Sequence, residues 1–148
     1  LGTLADTVVL LGGPEERDLL SKLERKADDG KGPRVIDLAA RGLGLESLRG
    51  VIERCSLVVA NDTGPRHLAV ALGIPTVALF GPTDHRWTTL KGARERILVG
   101  EPFLPEERVA NQHPETCRVD RISVGDVLHA VKTTLDEPPG AESVSSET

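Results

Sequence analysis

Between residues 57 and 80 the chain reads Leu57-Val58-Val59-Ala60, then Asn61-Asp62-Thr63-Gly64-Pro65-Arg66-His67, then Leu68-Ala69-Val70-Ala71-Leu72-Gly73, and then Pro75-Thr76-Val77-Ala78-Leu79-Phe80. The outer runs are apolar without alternation, as in strands covered on both faces, and the stretch between them holds one helix. A strand, a helix and a second strand in that order set the two strands parallel, because a hairpin would need only a short turn. This unit commits the chain to an α/β architecture and leaves a polar, Gly-Pro-containing loop at the end of its first strand.

The same alternation recurs on both sides. Thr7 to Leu11 reads as a strand running into Gly12-Gly13-Pro14, and Glu15-Glu16-Arg17 opens a helical pattern with Leu19, Leu20 and Leu23 on one side. Residues 28–33 form a loop, Arg34 to Leu38 a second strand, and Leu45, Leu48, Ile52 and Cys55 share a helical face despite Gly50. Ser56 to Ala60 is the third strand and Pro65 to Leu72 the third helix, with Gly73 placed as a C-terminal glycine cap. Pro75 to Phe80 and, more weakly, Arg96 to Val99 complete the strands. Residues 100–121 are proline-rich and aperiodic, which reads as a surface connection. Ser123 with Asp126 then caps a last helix carrying Val124, Val127, Leu128 and Val131. The expected fold is α/β, a Rossmann-like doubly wound parallel sheet with helices on both faces. It occupies residues 1–135 as one domain, followed by a disordered tail over residues 136–148 that has nothing to bury.

Composition narrows the function. A net charge of -5 argues against a nucleic-acid or polybasic membrane surface, so an anionic ligand must be held by local geometry. No apolar run reaches the roughly 18 residues of a membrane span, and the first residues lack the basic region of a signal peptide, so a cytoplasmic protein is expected. Cys55 and Cys117 lie far apart without a Cys-x-x-Cys and read as buried free thiols, not as part of a metal site.

Ligands of doubly wound sheets bind at the carboxyl ends of the strands. Three unusual loops fall there: Gly12 to Glu16, Asn61 to His67, and Gly81 to Trp87. With Gly64 as N-cap and Pro65 at the first helical position, the amides of Arg66, His67 and Leu68 are expected to face outward as an anion site suited to phosphate. His67 can reach the same anion and Thr63 can add a hydroxyl. Asp62 is repelled by a diphosphate unless shielded, and suits sugar hydroxyls or loop amides instead.

Each assignment has a plainer alternative. Asp62 also reads as a loop or helix cap, Thr63 as a turn residue and His67 as a structural histidine, and Arg66 is expected to be a solvated surface charge. Gly12 and Gly13 allow close approach of a ligand, with Glu15 or Glu16 accepting from ribose hydroxyls, or they form a tight turn whose acids complement a helix dipole. Gly81, Thr83 and Asp84 read equally as ligand contacts or as an ordinary turn, and Trp87 is expected to pack. Asp-Thr-Gly alone also occurs in aspartic proteases, but those are all-β.

Taken together, residues 58–84, Asp62-Thr63-Gly64, His67 and Gly81-Pro82-Thr83-Asp84 among them, resemble the signature of glycosyltransferase family 9, the heptosyltransferases of lipopolysaccharide core synthesis. The stretch from Leu10 to Glu16 resembles that family's upstream strand and turn. The resemblance implies the C-terminal half of a GT-B enzyme, in which two Rossmann-like domains face each other across a cleft. It assigns Thr63, Gly64 and His67 to the donor diphosphate and nearby sugar, Asp62 to sugar hydroxyls, and Glu15, less securely Glu16, to the adenosine ribose. It implies an ADP-sugar donor, ADP-heptose above all, a lipopolysaccharide-type acceptor, inverting transfer and no required cofactor or metal. The family's base is an acid of the N-terminal domain, so no catalytic residue is expected here and the chain alone is expected to be inactive. The whole enzyme is expected at the cytoplasmic face of the inner membrane as a peripheral protein. The alternative is a non-catalytic nucleotide- or sugar-binding module, or a GT-B relative using another nucleotide sugar such as a UDP-sugar.

Overall fold

The structure is a computed structural model that describes residues 4–27, 30–81, 83–88, 93–100 and 118–138. It divides into two compact units, Leu1–Leu48 and Arg49–Thr148.

In the first unit, β1 (Thr7–Leu10) runs through a 3-10 turn (Pro14–Glu16) into α1 (Arg17–Ala27) and then β2 (Arg34–Asp37). The two strands pair in parallel, Thr7 opposite Arg34 and Leu10 opposite Asp37. The glycine pair has separate reasons. A Cβ on Gly12 would lie 2.5 Å from the Leu20 side chain, so its absence lets α1 close on the turn, whereas Gly13 faces open space except for the Glu16 carboxylate at 4.0 Å. That carboxylate folds back to accept the Gly13 amide at 2.9 Å. Of the three leucines expected to pack, Leu19 and Leu23 are exposed. A two-stranded sheet offers only a narrow stripe, which Leu20 and Glu24 take, the latter accepting the Asp37 amide at 3.0 Å.

The boundary between the units falls inside α2 (Leu45–Ile52). The second unit continues with β3 (Val58–Asn61), α3 (Gly64–Ala71), β4 (Thr76–Phe80), α4 (His85–Thr88), β5 (Glu95–Val99), a 3-10 turn (Val119–Arg121) and α5 (Val124–Asp136). Its sheet has the order β3-β4-β5, all parallel, with Ala60 opposite Ala78 and Phe80 opposite Val99. The core is Ile52, Val58, Ala69, Val77, Ala78, Phe80, Ala130 and Val131, with β4 at its centre. The expected α/β class with parallel strands is present, and the strands hydrogen-bond as two sets, β1-β2 and β3-β4-β5.

Helix ends follow the sequence signals closely. Gly73 adopts a left-handed φ of 71°, and the amides of Gly73 and Ile74 bond the carbonyls of Val70 and Ala69 at 3.0 Å each, a Schellman closure of α3. Ser123 accepts the Asp126 amide at 3.1 Å and starts α5. Along α5 the buried side is Ala130, Val131 and Thr134, while Val124, expected to face the core, is 76% exposed because the first turn overhangs the packed region. The helix also runs through Asp136, the residue expected to open the tail. Arg96 holds its end by pairing with the Glu137 carboxylate, and Arg94 donates to the Glu137 carbonyl at 3.3 Å. Residues 139–148 of the expected tail, most of the expected 100–121 connection, and Cys117 lie outside the described residues. Cys55 is a half-buried free thiol donating to the Val51 carbonyl, and burial pushes its pKa up.

Two glycines predict opposite responses to alanine. A Cβ on Gly81 would meet the Val119 amide nitrogen at 2.6 Å, while one on Gly50, inside α2, would meet no described atom of another element within 4 Å. Gly81→Ala is expected to cost about 1–3 kcal/mol through a forced backbone shift. Gly50→Ala is expected to add up to about 1 kcal/mol of helix stability. Urea unfolding of both variants checks the pair.

Candidate functional site

The three loops singled out in the sequence each follow the carboxyl end of a strand: Leu11 to Glu16 after β1, Asp62 to His67 after β3, and Gly81 to Asp84 after β4. In the second unit the loop after β3 is built around the start of α3. Thr63, not Gly64, is the N-cap: its backbone is extended, at φ -139° and ψ 169°, and its carbonyl accepts the His67 amide at 3.3 Å. The helix therefore starts one residue earlier than expected, with Gly64 and Pro65 as its first two positions. The amide of His67 is consumed inside the helix, and those left without an intrahelical partner belong to Thr63, Gly64 and Arg66. Pro65 still removes no needed donor. The Thr63 hydroxyl turns back to donate to the Asn61 carbonyl at 3.3 Å rather than capping the helix.

Apart from its chain neighbours and the backbone of its own helix, a Cβ on Gly64 would meet no described atom within 4 Å, and the residue is exposed. Among the described residues no packing requires a glycine there, in contrast to Gly12 and Gly81. The open space lies directly before the positive end of the helix dipole.

Arg66 overturns its expected role. It is 1% exposed, the largest fully buried side chain, and it is no solvated charge. Its Nε and Nη2 donate to the two oxygens of Glu95 at 2.6 and 2.9 Å, and Nη1 donates to Asp62 Oδ1 at 2.8 Å. Nη1 and Nη2 further donate to the hydroxyl and carbonyl of Thr88 at 3.2 and 3.1 Å. The guanidinium carbon sits 4.8 Å from the centroid of the Phe80 ring. Burial alone would lower the Arg66 pKa, but the bonds to Glu95 and then Asp62 outweigh it and raise the pKa above its usual value. The physical reason for the sequence error is position. The third residue of α3 faces the sheet, and Glu95 at the start of β5 brings a buried carboxylate to meet it.

Asp62 is thereby engaged from below. The same Oδ1 that accepts Arg66 lies 3.3 Å from Nε2 of His67, while His67 itself stays half exposed. The cluster of Asp62, Arg66, His67 and Glu95 thus joins the loop to the core.

In the loop after β4, Asp84 is buried and its carboxylate accepts the Arg86 amide at 3.1 Å and the Arg86 Nε at 2.8 Å. The ring of His85 stands edge-on to Phe80, at 5.9 Å between centroids. Burial lowers the His85 pKa; the charge of Asp84 opposes this and that of Arg86 adds to it. Trp87, expected to pack, is 68% exposed instead, because α4 is a single turn that cannot bury both His85 and the residue two further on. Thr83 is partly exposed beside Asp84 and Gly81 is closed by Val119. Pro82 lies outside the described residues.

In the first unit Glu16 is committed to the Gly13 amide, and Glu15 is exposed with no hydrogen-bond partner among the described residues. A cavity of about 450 Å³ lies at the amino end of β2, lined by Glu24, Arg25, Gly30 and Arg34 among others, and contains none of the expected site residues. Among the described residues, no group of three His, Cys, Asp or Glu side chains is placed to hold a metal ion, and no helix is long and apolar enough to cross a membrane.

The structure shows α/β units with parallel strands, and comparison with known proteins makes the class specific. Residues 5–117 match the model of glycosyltransferase family 9 (heptosyltransferase), and the chain belongs to that family. It is 35% identical over 78 residues to lipopolysaccharide heptosyltransferase 3 of Escherichia coli, covering 53% of this chain and 22% of that protein. It is 41% identical over 61 residues to lipopolysaccharide heptosyltransferase 1 of Pseudomonas aeruginosa, covering 41% and 17% respectively. Among solved structures, the fold matches that of E. coli ADP-heptose lps heptosyltransferase II with a TM-score of 0.67 at 23% identity, over 87% of this chain and 36% of that one. It matches a family 9 glycosyltransferase of Veillonella parvula with a TM-score of 0.70 at 23% identity, over 90% and 40%. The chain spans about a fifth of the curated relatives and less than half of the matched structures.

The buried pair makes a direct prediction. Arg66→Met is expected to cost about 3–5 kcal/mol, because it strands the Glu95 carboxylate in the core, and Arg66→Met combined with Glu95→Leu is expected to recover most of that loss. Urea unfolding of the single and double variants decides it; a single-variant cost below about 1 kcal/mol contradicts the burial described.

Proposed function

We propose that this chain is the donor-binding part of a family 9 glycosyltransferase. It binds an ADP-sugar, ADP-heptose above all, for transfer to a lipopolysaccharide-type acceptor in the whole enzyme, a peripheral protein of the cytoplasmic face of the inner membrane. The observation that carries the reading is the start of α3, where the amides of Thr63, Gly64 and Arg66 have no intrahelical partner and, among the described residues, no packing calls for the glycine at position 64. A diphosphate suits that place, since backbone donors and the helix dipole both favour negative charge there.

The remaining roles follow from the chemistry of each group. His67, half exposed at the fourth position of α3, reaches toward the diphosphate and supports the charge that grows on the leaving ADP. Asp62 would repel that diphosphate if left alone, but the buried Arg66 compensates its charge, and its second oxygen serves the sugar hydroxyls. In the first unit Glu16 caps its own turn by accepting the Gly13 amide, and Glu15 is left exposed. Thr83 and Asp84 belong to the loop after β4, where Thr83 offers a hydroxyl and Asp84 holds the loop's shape through Arg86.

Transfer would be inverting. A base outside this chain removes a proton from the acceptor hydroxyl, whose oxygen attacks the anomeric carbon in line as the bond to the ADP oxygen breaks. This chain supplies the stabilisation of the leaving group and no catalytic base, so it does not transfer sugar alone.

Calorimetric titration with ADP, and with UDP as control, tests the reading. ADP is expected to bind in preference to UDP, and His67→Ala to weaken ADP binding roughly tenfold, the scale of one charge-assisted hydrogen bond. Equal binding of UDP, or an ADP affinity indifferent to His67, contradicts the assignment.

A further inference from the structure

Arg66 lies beneath the candidate site without facing the open space before Gly64. It reaches four separate parts of the second unit: Asp62 in the loop after β3, the ring of Phe80 at the end of β4, Thr88 at the end of α4, and Glu95 at the start of β5. A planar fork with five donors can satisfy that many partners at fixed angles, which an ammonium cannot. Glu95 grips the fork with both oxygens and thereby fixes its orientation. The fork in turn fixes Asp62 through Oδ1 alone, and Asp62 Oδ2 has no partner among the described residues. Asp62 is mostly buried yet keeps 12% of its side chain exposed, so its second oxygen can still meet a ligand.

We infer that Arg66 is a positioning residue: braced by Glu95, it sets the one carboxylate that serves the donor sugar and ties the α4 segment to the same frame. Preference for a sugar nucleotide over the bare nucleotide therefore depends on two residues that touch neither. The inference rests on the donor-binding reading and deepens it. The diphosphate is met by backbone amides of α3, whereas the guanidinium orients the carboxylate that serves the sugar, so the two contributions separate in the ratio of the two affinities.

The test measures the affinities of ADP and ADP-heptose for the wild-type chain, Arg66→Lys and Glu95→Gln, with circular dichroism and unfolding midpoints recorded for each. Lysine keeps the buried positive charge but lacks the fork, and glutamine keeps the shape of Glu95 but loses its charge. In both variants the advantage of ADP-heptose over ADP is expected to fall about tenfold, the loss of one well-placed hydrogen bond to a charged group. Either variant alone suffices if the other does not fold. An advantage retained in the folded variants, or a parallel loss of both ligands, overturns the positioning role while leaving the donor-binding reading intact. A wild-type chain that binds ADP without any advantage for ADP-heptose overturns it as well. Failure of the wild-type chain to bind either ligand removes the donor-binding reading and this inference with it.

Discussion

A single buried cation organises the second unit. Placing a guanidinium under a helix costs several kcal/mol of desolvation unless hydrogen bonds and opposite charge offset it. Arg66 meets that condition with Glu95, Asp62, Thr88 and the face of Phe80. Each partner comes from a different element, so satisfying one side chain fixes the start of α3, the end of β4, α4 and the start of β5 together. The arrangement leaves little freedom to any one member. An apolar residue at position 66 could fill the space, but Glu95 would then have no reason to be inside.

The same network resolves an electrostatic conflict at the strand end. A carboxylate in the loop before a helix opposes the anion that the helix start attracts. With Arg66 below and His67 3.3 Å to its side, Asp62 is no longer an isolated negative charge. The loop can then keep an acceptor for hydroxyl groups next to donors for phosphate, which is the combination a nucleotide sugar presents. In the loop after β4 the pairing of Asp84 with Arg86 does something similar on a smaller scale, using a buried acid to shape the backbone.

Much of this was legible in the sequence because it rests on local rules. The strand readings marked β1 to β4 within a residue or two, Gly73 marked the closure of α3, and Ser123 with Asp126 marked the start of α5. The three loops fell at strand ends because strand and helix alternate. What was not legible was tertiary. Arg66 and Glu95 are 29 residues apart, and a charged residue in a first helical turn reads as solvated until the strand that brings its partner is in place. The one available signal was Glu95 itself, an acid at the head of a strand that continues into the apolar run Ile97-Leu98-Val99. Trp87 was misread because the length of α4 cannot be seen in the residues, and Leu19, Leu23 and Val124 because helical spacing states which residues share a face, not how far the covering surface extends. Gly12, Gly64 and Gly81 look alike in sequence, and only the structure separates the two that packing requires from one for which the described residues show no such need.

The central claim is that the start of α3 receives the diphosphate. Amide chemical shifts of the isotopically labelled chain, followed during titration with ADP, test it most directly. The account predicts the largest changes at Thr63, Gly64 and Arg66, with His67 following and the amides lining the cavity at the amino end of β2 unmoved. Shifts centred on that cavity, with the amides of α3 unchanged, would contradict it.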